Sequence, residues 1–347
     1  MDTLTHALSG ALLARATQPR DAAPRSLARR IAAGFFACAA PDLDIVCAFF
    51  GPASYLENHR AATHSILLLP FWAAIVAWIL AKILRQPGGW RALYAVCAMS
   101  IGLHIAFDLI TGYGTMLLWP LSDWRPGLGV TFVIDLWFSG IIIAGLVGSL
   151  VLRKQRIPAV ASFTVLLAYL GFQGVLKEKA LGVGEAYARE HGLPAAGVRA
   201  FPRPASPFNW SVFISDDEAH RFAHINLIRT EPRPYQPGDG FFARIDSPYL
   251  PVAQAVWVTR KRFGEAQQDR VREAWDAEPL AFFRWFAELP ALEATDARAG
   301  CVWFTDLRFL TPGRGDRAFV FGVCREQPGA PWRAYERVGE SGRIAVR

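Results

Sequence analysis

Histidine and aspartate, the residue pair that binds divalent transition metals, recur inside apolar stretches of this chain. His6 lies in a short apolar helix. Asp42 and Asp44 follow Pro41 in Ala-Ala-Pro-Asp-Leu-Asp. His59 and His64 bracket Arg-Ala-Ala-Thr, His104 and Asp108 share one apolar run, and Asp135 opens another. Four of the seven histidines fall within the first 108 residues. Ionisable groups are costly within an apolar span and are functional candidates by default. Imidazole nitrogen with carboxylate oxygen is a ligand set for zinc, and also for manganese or iron. His104 and Asp108, four residues apart, share one face of a helix. Asp42 and Asp44 would splay on a regular helix, but Pro41 can break it and turn both carboxylates inward.

The elements that carry these residues read as membrane spans. Of 347 residues 52% are hydrophobic, and the mean hydropathy is positive. The excess precedes Lys177. Four runs reach the roughly 20 residues needed to cross a bilayer: Ile31–Phe50, Ser65–Leu84, Ala92–Ile110 and Val130–Leu152. Ile157–Leu176 is a fifth. Leu4–Ala16 is too short to span and reads as a half-membrane or surface helix. The absence of a signal-peptide pattern in the first residues leaves insertion to these helices.

The net charge of +7 would suit nucleic acid, but its distribution argues against that partner. Arg15, Arg20, Arg25, Arg29 and Arg30 precede the first span. Lys82, Arg85 and Arg91 lie between the second and third, and Arg153, Lys154 and Arg156 between the fourth and fifth. The alternate loops hold only Arg60 and Arg125. By the positive-inside rule the basic blocks are cytoplasmic, and five spans then place the C-terminal half outside.

Depth links the polar residues. At roughly 1.5 Å of rise per helical residue from the nearest basic block, His6 lies about 13 Å into the membrane, Asp42 about 18 Å and His104 about 20 Å. Asp108, His64 and Asp135 fall at about 25–27 Å by the same count. All lie between the middle and the outer edge of a hydrocarbon core about 30 Å thick. The short first helix joins the group if its N-terminus points outward.

The expected fold is an α-helical polytopic membrane domain of about five spans plus the short N-terminal helix (1–176), a linker (177–207) and a small α+β or mostly β soluble domain (208–347). Strands are predicted at Asn209–Ser215, Arg221–Ile228, Val252–Thr259, Val302–Leu310 and Ala318–Cys324, with an amphipathic helix over Glu265–Leu289. Cys38, Cys47 and Cys97 read as small buried hydrophobes. Cys301 and Cys324 could pair only in an oxidising compartment.

Met1-Asp-Thr-Leu-Thr-His6-Ala-Leu-Ser-Gly, Pro41-Asp-Leu-Asp44, His59-Arg-Ala-Ala-Thr-His64-Ser, and His104-Ile-Ala-Phe-Asp108 with Thr111-Gly-Tyr-Gly-Thr115 together resemble the YdjM-like membrane-bound metal-dependent hydrolases, a group with a LexA-controlled member. The resemblance covers about the first 175 residues and implies a metal-dependent hydrolase of the bacterial inner membrane. More distantly, the pattern is similar to zinc-dependent phospholipase C and the single-strand zinc nucleases, which suggests a phosphodiester or lipid-linked substrate at the outer leaflet.

In that reading one or two divalent ions, zinc before manganese or iron, are held by His6, Asp42, His59, His64, His104 and Asp108. Asp44 bridges two ions or supports the ligands, Asp135 is the general base, and Arg60 holds an anionic substrate or touches lipid headgroups. The rival readings are an ion-coupled or metal transporter using the same cluster and a non-enzymatic membrane scaffold.

Overall fold

The computed structural model describes residues 1–19, 23–152, 156–266, 268–313, 318–327, 329–339 and 342–346. Arg20, Arg153 and Lys154 of the basic blocks, and Arg347, lie outside them. The chain divides into two compact units: residues 1–45 with 58–175, and residues 46–57 with 176–347.

The first unit opens with helix α1 (Thr3–Ala16), capped by Asp2, whose carboxylate accepts the Thr5 amide at 2.9 Å and the Thr5 hydroxyl at 2.6 Å. Helix α2 (Pro24–Ala39) starts on proline, which has no amide proton to leave unsatisfied. The two helices meet at Gly10 and Gly34. A Cβ on Gly10 would lie 2.1 Å from the Gly34 carbonyl oxygen, and one on Gly34 would lie 2.4 Å from the Gly10 oxygen. Only glycine at both positions permits this approach, and Ala14, Ala33 and Ala37 are buried beside it.

At Pro41 the backbone tightens into a 3-10 helix, Ala40–Phe50. Its pitch turns both Asp42 and Asp44 inward and leaves Leu43 and Ile45 exposed. Helix α3 (Pro52–Asn58) and a 3-10 turn, Ala62–His64, lead to α4 (Leu69–Ile83). Helix α5 (Arg91–Leu109) packs against α1, α2 and α4 and carries His104 and Asp108 on its buried face. Helix α6 (Leu136–Val151) follows a non-helical stretch, and α7 (Ile157–Glu190) closes the first unit and continues into the second.

The helices do not confirm a count of five spans. Among the described residues, three helices are long and apolar enough to cross a membrane: Pro24–Phe50, Arg91–Leu109 and Ile157–Glu190. A fourth is counted if Pro52–His64 and Leu69–Ile83, bent by 83°, act as one broken span. Ser65–Leu84 is therefore no straight helix, because the chain turns at His64–Leu68 and Pro70 stands within the first turn of α4. Val130–Leu152 is helical only from Leu136, because Asp135 caps a helix there; the remaining 16 residues reach roughly 24 Å.

Among its described residues the second unit holds two five-stranded sheets. In the first, β1 (Val198–Pro202), β2 (Asn209–Ser215) and β3 (Ala219–Asn226) are antiparallel. Helix α8 (Phe241–Asp246) precedes β4 (Leu250–Pro251), which runs parallel to β3, while β5 (Val258–Lys261) pairs β3 antiparallel. Helices α9 (Gln268–Asp276) and α10 (Ala281–Phe286) precede the second sheet, an antiparallel meander of β6 (Pro290–Asp296), β7 (Cys301–Asp306), β8 (Val320–Cys324), β9 (Arg333–Val338) and β10 (Gly342–Ala345). Trp210, Val212, Ala223 and Ile225 form one core with Leu176 and Ala180 of α7; Phe213, Phe222, Leu289, Ala291 and Leu307 form another.

Residues 177–207, expected as a linker, are helix to Glu190 and strand over Val198–Pro202. The single helix expected over Glu265–Leu289 is broken by a 3-10 turn at Glu278–Leu280 that contains Pro279. A disulfide joins Cys301 and Cys324, which sit directly opposite each other on β7 and β8.

Candidate metal centre

Four side chains of the first unit converge on one buried point. One ligand atom from each of Asp42, His64, His104 and Asp108 lies within 4.8 Å of every other. His104 and Asp108 come from α5, Asp42 from the 3-10 helix after α2, and His64 from the bend before α4. Nε2 of His104 stands 2.9 Å from Nε2 of His64, 3.3 Å from Oδ2 of Asp108 and 3.5 Å from Oδ1 of Asp42. Nε2 of His64 is 3.1 Å from the same Asp108 oxygen. His64, His104 and Asp108 are fully buried, and the Asp42 side chain is 12% exposed.

The partners on the far side of each ring assign its tautomer. Nδ1 of His104 is 2.6 Å from the Cys38 carbonyl, which can only accept, so this nitrogen carries the proton. Thr63 donates its hydroxyl to Asp44 at 3.0 Å and so accepts from Nδ1 of His64 at 2.9 Å. With both rings neutral, each aims the lone pair of Nε2 into the centre. Two imidazole lone pairs and two carboxylates facing each other in a buried space repel unless a cation lies between them. A tetrahedral ion with bonds of about 2.0–2.1 Å sets its ligand atoms roughly 3.3 Å apart. The observed separations bracket that value, so the four residues fit a metal.

Asp44 stands behind this group. Its Oδ1 is 2.7 Å from Nδ1 of His59, and its Oδ2 accepts from the Arg60 amide at 2.9 Å and from Thr63. Oδ2 also lies 3.4 Å from Nδ1 of His64. Asp44 thus orients His64 as carboxylates orient metal-bound histidines. His59 belongs to this outer ring, packed at 5.4 Å against Tyr113.

His6 reaches the cluster from α1. It stacks on His104 with 3.7 Å between ring centroids, and its Nε2 is 3.1 Å from Oδ1 of Asp108. The same oxygen pairs with the Met1 amino group and, at 2.8 Å, with the Arg60 guanidinium. Arg60, expected to hold substrate, is buried on Asp108 and also donates to Thr111 at 3.0 Å. Its backbone sits at φ 62°, in the left-handed region that non-glycine residues seldom occupy.

Asp135 is not brought into this group. It caps α6, with Oδ1 accepting the amides of Trp137 and Phe138 and Oδ2 accepting the hydroxyls of Thr131 and Tyr169, both at 2.8 Å.

Cys38 is the residue that the sequence reading passed over. Its sulfur and one ring nitrogen from each of His6 and His104 lie within 4.8 Å of one another, all buried. The signal was its spacing, one helical turn before Asp42.

Apolar helices around a buried His/Asp centre define a membrane protein with a potential metal site. The model of the YdjM inner membrane protein family matches residues 1–180, and the chain belongs to that family. The protein YfhP of Bacillus subtilis (strain 168), described as uncharacterized, is 30% identical over 138 residues. That match covers 39% of this chain and 42% of YfhP's own length. No solved structure matches the chain.

Proposed function

We propose that the chain is a membrane-bound, metal-dependent hydrolase acting on a phosphodiester or lipid-linked substrate at the outer leaflet. The observation that carries this reading is the pair of Nε2 atoms of His64 and His104, turned towards each other between Asp42 and Asp108. A divalent ion there would polarise a scissile oxygen and lower the pKa of an attacking water.

The protein's own groups have separable tasks. His64, His104, Asp42 and Asp108 hold the ion. Asp44 and the Cys38 carbonyl fix the two rings. Asp42 is the least buried of the four and carries a second oxygen, Oδ2, with no hydrogen-bond partner, which suits it to orient or deprotonate water. Arg60 neutralises Asp108; once a cation takes over that charge, the guanidinium is free to fork onto an anionic substrate.

Asp135 has all its hydrogen bonds committed to the α6 cap and nearby hydroxyls, which favours a structural role over a general base. Exposed Leu43 and Ile45 flank the two carboxylates and suit a lipid-facing entrance. The Cys301–Cys324 disulfide suits a C-terminal unit in an oxidising compartment, the side that the basic blocks give with an odd number of spans.

The test is hydrolysis of bis-p-nitrophenyl phosphate and of mixed phospholipid vesicles by the full-length protein in nanodiscs. Metal-loaded protein should turn over one class, and chelator or Asp108→Asn should abolish it. Metal-loaded protein that cleaves neither substrate class contradicts the reading.

A further inference from the structure

We infer that Cys38 is a thiolate ligand in a His6–Cys38–His104 donor set adjoining the His/Asp group, so that this set takes a borderline or soft transition metal and not magnesium or manganese. The inference rests on the metal-centre reading above and specifies which metals it accepts.

The helix crossing that forms the centre also delivers the sulfur. His6 and Gly10 lie one turn apart on α1, and Gly34 and Cys38 one turn apart on α2. Where the backbones cross, a Cβ on Gly10 would meet Cys38 Cβ at 2.4 Å, so Cys38 sits directly against α1 one turn from His6. Cys38 and His6 are both fully buried. Nδ1 of His6 has no hydrogen-bond partner, although Nε2 is engaged by Asp108. An imidazole nitrogen left bare in a dry interior costs free energy unless something binds it. A ring nitrogen of His6, the Cys38 sulfur and a ring nitrogen of His104 lie mutually within 4.8 Å, and His104 also belongs to the His/Asp set.

Nitrogen and sulfur donors together select zinc, cobalt or copper(I), whereas carboxylate oxygen alone would suit magnesium or manganese. Cysteine binds as thiolate, so binding releases the thiol proton to solvent. No redox change is involved. The sulfur and His6 form a donor set of their own that meets the His/Asp group at His104.

Cobalt(II) reads this directly. Full-length protein in detergent, stripped by chelator and titrated with Co2+, should develop visible ligand-field bands and a thiolate-to-cobalt charge-transfer band in the near ultraviolet. Cys38→Ser should keep the visible bands and lose the near-ultraviolet band. Cys47→Ser/Cys97→Ser, which leaves Cys38 as the one free thiol, should keep both, and this second variant carries the test if Cys38→Ser does not fold. Visible bands without charge transfer in the unmodified protein overturn the thiolate ligand while leaving the metal centre standing. A charge-transfer band that survives Cys38→Ser, or is lost in the double variant, assigns the sulfur elsewhere and also overturns it. No cobalt bands in any form overturn both this inference and the metal reading.

Discussion

Nε2 of His64 and Nε2 of His104 face each other at 2.9 Å, and the opposite nitrogen of each ring donates to an oxygen of the protein. That relationship separates a prepared cation site from a pair of histidines buried by chance. Packing alone could bury the two rings, but it would not fix both tautomers to direct lone pairs at one point.

If Asp44 acts by orienting His64, Asp44→Ala should weaken metal binding without removing a ligand. The expected loss is about 10–100-fold in affinity. Competition against a chromogenic chelator measures it, and an unchanged affinity would leave Asp44 with no role in the centre.

Gly34→Ala should destabilise the first unit by about 1–3 kcal/mol, because the new methyl would stand 2.4 Å from the Gly10 carbonyl oxygen. It should also cost metal affinity, since the crossing of α1 and α2 carries His6 and Cys38. Thermal unfolding in detergent with and without zinc tests both effects. Gly140, with no atom close to its would-be Cβ, is the control position.

Asp135→Asn should retain hydrolysis, because asparagine caps a helix about as well as aspartate; Asp135→Ala should lose about 0.5–2 kcal/mol of stability. Loss of turnover in Asp135→Asn at unchanged stability would restore Asp135 as the base.

In the second unit, burial and the nearby Arg203 guanidinium push the His224 imidazole down to about 3 from its ordinary 6.5. The folded state therefore resists a proton that the unfolded chain accepts. Stability from this group is full above about pH 6.5 and falls as pH drops towards 3. Hydrogen exchange of the β2 and β3 amides in the intact protein should accelerate across that window. His224→Gln should flatten the dependence, and an unaltered slope in the variant would contradict it.

Alkaline phosphatase fused to the C-terminus should be active, and a fusion within Arg85–Arg91 should not. The reverse result would invert the orientation.

Much of the centre was legible because helical spacing is a local property. His104 and Asp108 share a face by arithmetic, and Pro41 marks the point where Asp42 and Asp44 turn in. Depth along a span was less reliable, since it is a single coordinate: by that count Asp135 matches the others, but it is engaged in capping α6. Composition does not show where a helix starts, so the bend before Pro70 in Ser65–Leu84 and the helix start after Asp135 in Val130–Leu152 were not legible. Cys38 looked like a small hydrophobe until the Gly10–Gly34 crossing set it beside His6, and that crossing is a tertiary fact. In the second unit the apolar strands β2, β3, β7 and β8 were readable, whereas β9, polar and half-buried, and β10, exposed, lack the alternation that marks a strand.

The most direct test is elemental analysis of purified full-length protein alongside Asp108→Asn and the double variant His64→Ala/His104→Ala. The unmodified protein should carry at least one equivalent of a transition metal that survives dialysis and leaves with a strong chelator, and the variants should carry little. A folded, unmodified protein that holds no stoichiometric metal after exposure to zinc, manganese and iron would contradict the account at its centre.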